Sequence, residues 1–251
     1  MQSRPALGPD SDLVRGAFAL LKKSERKKQE LCLVEGLSSV LAAIESGACV
    51  HVLCTSEFET VDFGNTPRYL INARASAKVS DTKTAPGVYG VCRIPNHYPE
   101  TLSRILILDE VSDPGNLGTI IRSAHAFDIN AIFLLPKCAD PWSGKVLRSS
   151  AGYSFLVPII EISGAEDLPD VTLYATVMEA DIALTELVAS GALSRPHGWI
   201  IGNESHGISP EIINRAGNTV RIEMSDVAES LNAAVVASIC SYQSYLASRN
   251  V

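Results

Sequence analysis

Residues Leu106-Ile-Leu-Asp-Glu-Val-Ser-Asp-Pro-Gly-Asn-Leu-Gly-Thr-Ile-Ile-Arg122 decide the fold. The apolar run through Leu106–Leu108 has the pattern of a strand buried on both faces. Asp113-Pro-Gly reads as a turn, and a helix is expected to open at Asn116, whose side-chain oxygen can accept from the N–H of Gly118 or Thr119. Leu117, Ile120, Ala124 and Phe127 then share the face that packs on a sheet. Arg122 falls on the other side, over Gly118 and Thr119, whose small side chains leave space beside a guanidinium.

Outward from this stretch, strands expected at 104–109, 131–135, 171–177, 198–202 and 219–223 alternate with helices expected at 117–127, 143–151, 209–216 and 230–248. Apolar strands alternating with helices predict an α/β domain with a parallel sheet covered on both faces. Upstream, Ile94-Pro-Asn-His-Tyr-Pro-Glu-Thr101 reads as a linker. The division expected is a small α/β domain over residues 1–96, a linker at 97–103 and the parallel-sheet domain over 104–251. Within the first domain, 12–30 reads as a helix or helix–turn with a basic end. Val34–Ile44 reads as a helix with Leu37, Val40, Leu41 and Ile44 on one face, ended by Gly47. Cys49–Cys54, Tyr69–Ile71 and Gly87–Ile94 read as strands.

The composition is that of an ordinary globular protein, with 46% hydrophobic and 20% charged residues in 251. No apolar run approaches the roughly 20 residues that span a bilayer, and the first residues lack a signal-peptide core. Six scattered cysteines without a Cys-x-x-Cys pair argue against a structural zinc site or a disulfide framework, and for a reducing cytoplasm. The net charge of −7 is uneven: +1 over residues 1–100 and −8 over 101–251. The five cations Lys22, Lys23, Arg26, Lys27 and Lys28 make the first part the better candidate for holding a nucleic-acid backbone, although a solvated helix face reads the same way.

Two later segments join the first. Trp199-Ile-Ile-Gly-Asn-Glu-Ser-His-Gly-Ile208 is a strand ending in glycine, then a polar loop with one carboxylate, Glu204, and a Gly207 suited to positive φ. Ser209-Pro-Glu211 follows as N-cap, N1 proline and acidic first turn. Val220-Arg-Ile-Glu-Met224 is a short strand, and Ser230-Leu-Asn232 opens a helix rich in small residues. Loops after parallel strands are where α/β proteins bind ligands, yet each segment alone is equally an ordinary strand–helix connection. Adjacent residues seldom aim at each other and no Gly-x-Ser-x-Gly elbow surrounds Ser205, both of which argue against a Ser205–His206 hydrolytic pair. Neither a Gly-x-Gly-x-x-Gly fingerprint nor a Gly-x-x-x-x-Gly-Lys-Ser/Thr phosphate loop is present.

In order and spacing, these three segments resemble motifs 1, 2 and 3 of the SPOUT superfamily, specifically the SpoU/TrmH family of RNA ribose 2′-O-methyltransferases. Asn116-x-Gly118-x-x-x-Arg122 matches without a departure, and Ser230-Leu-Asn232 matches closely. Glu223 departs, standing where the family usually has proline before the methionine. The resemblance implies a deep trefoil knot in the C-terminal domain and S-adenosyl-L-methionine as cofactor. It implies that Gly202, Asn203, Ile222, Met224, Ser230 and Leu231 hold that cofactor. Asn116, Arg122, Glu204, Ser230 and Asn232 are expected around the reacting ribose. It also implies a homodimer formed through the knot and the last helix. Lys22–Lys28 followed by Leu33-Val-Glu-Gly36 looks like the start of an L30e-like RNA substrate-binding domain, with Arg26 the expected RNA contact beside the lysines.

The implied activity is ribose 2′-O-methylation of RNA, with ribosomal RNA favoured and no membrane or metal partner. Methyl transfer requires no activated water, and no His/Cys/Asp cluster offers ligands. The alternatives are a tRNA enzyme of the same family, a catalytically silent RNA-binding or ribosome-assembly factor, and an α/β enzyme using another small ligand.

Overall fold

A computed structural model of the chain describes residues 5–180, 182–225 and 230–249. The elements run α1 (Asp12–Ala19), α2 (Lys23–Gln29), β1 (Leu31–Glu35), α3 (Leu37–Glu45), β2 (Cys49–Cys54), β3 (Arg68–Leu70), α4 (Ala73–Val79) and β4 (Val88–Arg93). They continue as β5 (Arg104–Leu108), α5 (Pro114–Ala126), β6 (Ala131–Leu134), α6 (Gly144–Ser149), β7 (Ile159–Glu161), β8 (Thr172–Thr176) and β9 (Ile182–Ala183). The last are α7 (Leu184–Ala189), β10 (His197–Ile201), α8 (Pro210–Ala216), β11 (Thr219–Arg221) and α9 (Ala233–Arg249).

Two compact units result. The first runs to Asn96 and also takes Asp140–Leu156; the second takes His97–Ala139 and resumes at Val157. In the first, a four-stranded sheet has the order β1-β4-β2-β3, antiparallel except for β2–β3. The helix expected at 143–151 forms as α6, but it packs on β1 of this first unit. Its Leu147, with Phe155 beyond it, joins a core of Cys32, Val34, Val40, Val52 and Val88, because Val146 and Leu147 find their apolar partners there.

In the second unit seven parallel strands take the order β7-β6-β5-β10-β8-β11-β9. The middle strands are apolar throughout because both faces are covered. Ile105, Leu106, Ile107 and Leu108 of β5 are all fully buried, each such side chain contributing about 1.5–3 kcal/mol. Ile105, Ile107, Phe133, Leu173 and Ile200 pack with Ile212 of α8. Leu117, Ile120, Ile121 and Ala124 of α5 are buried, and α5 packs along α9.

A buried polar network ties β10 to α9. The Trp199 indole donates to Ser244 Oγ at 2.8 Å, and His197 Nε2 meets the same oxygen at 2.7 Å while Nδ1 faces the Arg195 carbonyl. A proton on Nδ1 satisfies that carbonyl, so Nε2 accepts from the Ser244 hydroxyl. Burial holds the His197 imidazole below its ordinary range and so favours this neutral form. Ser244→Ala should cost about 1–3 kcal/mol in a denaturant titration, since it leaves an indole N–H and an imidazole nitrogen buried without partners.

Several local expectations are corrected. The segment expected to begin a helix at Val34 is strand as far as Glu35, and α3 begins only at Leu37, beyond Gly36. Leu41 lies on the exposed side of α3, whereas Val40 and Ala43 are buried. β7, β9, α4 and α7 were not anticipated; the two strands have three and two residues, too few to display a period. The last helix begins at Ala233 and not at Ser230. Residues 226–229 of the third motif, Glu229 among them, lie outside the described residues.

Candidate active site

The site grows from the carboxyl ends of β5 and β10, neighbours in the sheet. At the end of β10, a Cβ on Gly202 would lie 2.4 Å from the Gly207 carbonyl carbon and 2.6 Å from the Ile208 nitrogen, so only glycine fits. Asn203 and Gly207 exchange backbone hydrogen bonds of 3.0 and 2.9 Å, closing Glu204–His206 into a tight loop, with Gly207 at φ +72°. Asn203 Oδ1 accepts from the Ser205 N–H at 2.8 Å, and its amide donates to the Glu110 carbonyl at 2.9 Å. The buried Asp109 carboxylate accepts from the Ser209 N–H at 2.7 Å. The loop is therefore fastened to the end of β5 at both of its own ends.

α5 opens earlier than expected. Asp113 is the N-cap, its carboxylate accepting from the Asn116 N–H at 2.9 Å, and Pro114 is the first helical residue. Asn116 is thus not the cap, and its side chain is released for other work. Its amide donates to Glu204 Oε1, while its carbonyl accepts from the Asn232 amide at 3.0 Å. Asn232 Oδ1 in turn accepts from the Ala234 N–H at 2.9 Å, at the start of α9. The relay Asn232→Asn116→Glu204 joins two helix N-termini to the loop, and those termini favour the carboxylate at its end.

Beside it is a cavity of about 500 Å³, lined by Gly202–Ile208, by Thr176 at the end of β8 with Val177 and Met178 beyond it, and by Ile222, Met224, Ser230 and Leu231. Its walls combine apolar side chains with polar loop groups, as small-molecule sites do. Glu223, which replaces the expected proline, is tied to α7: the Thr185 hydroxyl donates to its carboxylate, with the Thr185 N–H 3.4 Å away. These bonds hold the Glu223 carboxyl below the ordinary carboxylate range. A hydrogen-bonded tether here stands in for the stiffness of a proline ring.

The structure thus brings together Asn116, Glu204 and Asn232 by hydrogen bonds, and Gly202, Asn203, Ile222, Met224, Ser230 and Leu231 around one cavity. Arg122 is not among the lining residues. It is exposed on α5, about 9 Å further along the helix axis than Asn116. In the first unit, Lys22, Lys23, Lys27 and Lys28 are exposed. Arg26 is not: its side chain is 8% exposed, donates to the Leu20 and Leu21 carbonyls, and pairs with Asp140 at 2.5 Å. The expectation that Arg26 contacts RNA is corrected accordingly, because position 26 faces inward from α2 and its charge is already matched.

Asp109, Glu110, Lys137 and Met178 were not singled out from the sequence. The first two sit within the opening motif, and all four follow parallel strands, the one positional signal that could have marked them.

Comparison with known proteins agrees with this geometry. The family model described as "SpoU rRNA Methylase family" matches residues 103–242. The chain is 30% identical over 236 residues to the 23S rRNA (guanosine(2553)-2′-O)-methyltransferase RlmP of Bacillus subtilis, covering 88% of this chain and 90% of that one. It is 30% identical over 249 residues to an uncharacterised tRNA/rRNA methyltransferase of Synechocystis, covering 92% and 89%. The SpoU methyltransferase AviRb of Streptomyces viridochromogenes, solved in complex with the cofactor AdoMet, superposes with a TM-score of 0.78 at 24% identity over 94% of this chain and 97% of that one. That likeness establishes the shared fold, and the family match together with the RlmP relation places this chain in the SpoU rRNA methylase family.

Proposed function

We propose that the protein methylates a ribose 2′-hydroxyl of ribosomal RNA, using S-adenosyl-L-methionine as donor. The observation that carries this reading is the Asn232→Asn116→Glu204 relay at the mouth of a small-molecule-sized cavity. The cavity fits such a donor. Ile208, Ile222, Leu231 and Val236 offer apolar walls, the loop after Gly202 offers polar groups, and Glu204 offers a carboxylate that would complement a positively charged donor. When bound, the cofactor supplies a methyl group activated on a sulfonium. The residues Gly202, Asn203, Ile222, Met224, Ser230 and Leu231 would hold it.

The chain's own task is alignment and charge control. Asn116, Glu204, Ser230 and Asn232 orient the ribose. Arg122 would face the 2′-oxygen and stabilise the alkoxide character that develops there as the hydroxyl proton passes to solvent water. The exposed lysines 22, 23, 27 and 28 hold the RNA backbone, which gives the first unit the substrate-binding role of an L30e-like domain.

The reading includes a knotted C-terminal segment, supported by β10 lying between β5 and β8 although it follows both in the chain. It also includes a homodimer through α9, supported by Val235, Tyr242 and Leu246, which stay 37–45% exposed on that helix. A cytoplasmic setting fits six cysteines that are all free thiols. Among the described residues, no helix is long and apolar enough to cross a membrane.

Transfer of tritiated methyl to ribosomal RNA and to tRNA, followed by mapping of ribose methylation, tests the assignment. Label at a ribose 2′-position in ribosomal RNA is expected. Label confined to tRNA would replace the substrate, and cofactor binding without any transfer would favour an assembly factor.

A further inference from the structure

Glu110, in the loop after β5, touches two neighbouring loops at once. It follows β5, the strand between β6 and β10, and so sits between the loops that leave those two neighbours. Its carboxylate pairs with Lys137, in the loop after β6, at 2.5 Å and with His206 Nε2, in the loop after β10, at 3.1 Å. Its backbone carbonyl accepts from the Asn203 amide at 2.9 Å. Glu110 and Lys137 both adopt left-handed backbone, at φ +55° and +67°, a conformation that side chains with a Cβ take up only when their surroundings hold them there.

We infer that Glu110 is a positioning residue for the cofactor loop, holding Asn203–Gly207 in the curvature that shapes the cavity wall by bridging the strand ends on either side of it. The inference rests on the proposed cofactor site and concerns a residue of the opening segment that is not part of its Asn116-x-Gly118-x-x-x-Arg122 signature. An isolated pair on an open surface would add little. Here the Glu110 side chain is 26% exposed, against 73% for Lys137 and 61% for His206, so the central member is the covered one. The hydrogen bonds from Lys137 and His206 also keep the Glu110 carboxyl below the ordinary carboxylate range. Asp109, one residue earlier, fastens the far end of the same loop through the Ser209 N–H.

The discriminating variant is Glu110→Gly, which removes the bridge while accepting the left-handed backbone without strain. Calorimetric titration of the full chain with S-adenosylhomocysteine should show binding weakened roughly five- to tenfold, the scale of a lost charge-assisted hydrogen bond at a partly exposed site. KM for S-adenosylmethionine should rise by a similar factor, kcat at saturating donor should change less than about twofold, and the melting temperature should not fall. His206→Ala should weaken binding less, and adding it to Glu110→Gly should weaken binding no further. Wild-type affinity in Glu110→Gly would overturn the inference, as would a loss of kcat and melting temperature in step with binding. A wild-type chain that fails to bind S-adenosylhomocysteine would overturn the cofactor reading itself, and the bridge with it.

Discussion

Arg122→Ala should lower methyl transfer by roughly 10²–10³-fold or more while S-adenosylhomocysteine binding stays within about twofold of wild type. Three observations lead there. Arg122 is exposed on α5, and among the described residues no hydrogen bond or ion pair engages its guanidinium, so removing it leaves none of those residues buried and unmet. Thr119, one turn earlier, donates its hydroxyl proton to the Gly115 carbonyl at 2.9 Å, so that proton is engaged within α5 and is not directed at the substrate side. Arg122 is also absent from the cavity lining, so donor affinity should not depend on it. Alanine is an excellent helix residue, and circular dichroism and melting temperature should match wild type. Single-turnover methylation alongside calorimetric binding separates the roles. Equal loss of transfer and binding would make Arg122 part of the cofactor-site framework, and undiminished transfer would remove it from the chemistry.

Gly202→Ala should have the second large effect, on binding and stability together. The added Cβ would sit 2.4 and 2.5 Å from the carbonyl carbon and oxygen of Gly207 and 2.6 Å from the Ile208 nitrogen. All three are backbone atoms, so no side chain can rotate away. Either the paired hydrogen bonds between Asn203 and Gly207 break or β10 shifts against β5. Overpacking of this kind costs about 1–3 kcal/mol, which for a chain of this size lowers the melting temperature by roughly 2–4 °C per kcal/mol. Donor binding should fall by more than about tenfold, because a displaced loop removes one wall of the cavity. Gly207→Ala is the control. Its φ of +72° makes alanine strained, but no atom lies within 4 Å of the new Cβ. It should cost about 1 kcal/mol. A milder effect at 202 than at 207 would contradict the steric account.

The central strands were legible because burial on both faces leaves an uninterrupted apolar signature, as in Arg104-Ile-Leu-Ile-Leu108 and Trp199-Ile-Ile201. The loop residues were legible through three spaced motifs whose meaning came from resemblance, with the relay and the cavity then uniting most of them. What failed was local competition between signals. Asp113-Pro-Gly-Asn116 offers two Asx caps, and the Pro-Gly pair suggested a turn. Proline at the first helical position is what selects Asp113 as cap and frees the Asn116 amide. The basic run at Lys22–Lys28 conceals one inward-facing position, because charge counting ignores which side of a short helix meets its neighbours. The fate of 140–156 was invisible for a different reason: sequence order does not reveal which of two cores a returning segment will join.

That returning segment has a consequence for how such proteins can be taken apart. A fragment ending at Asn96 would lack Leu147 and Phe155 from its apolar interior and would strand the Arg26 cation without the Asp140 carboxylate. The amino-terminal body is therefore not a detachable bead on a string. Grafting it onto a sister protein would need three recombination points, one at the linker and one near each edge of the returning segment, and a single crossover at the linker would deliver an incomplete module.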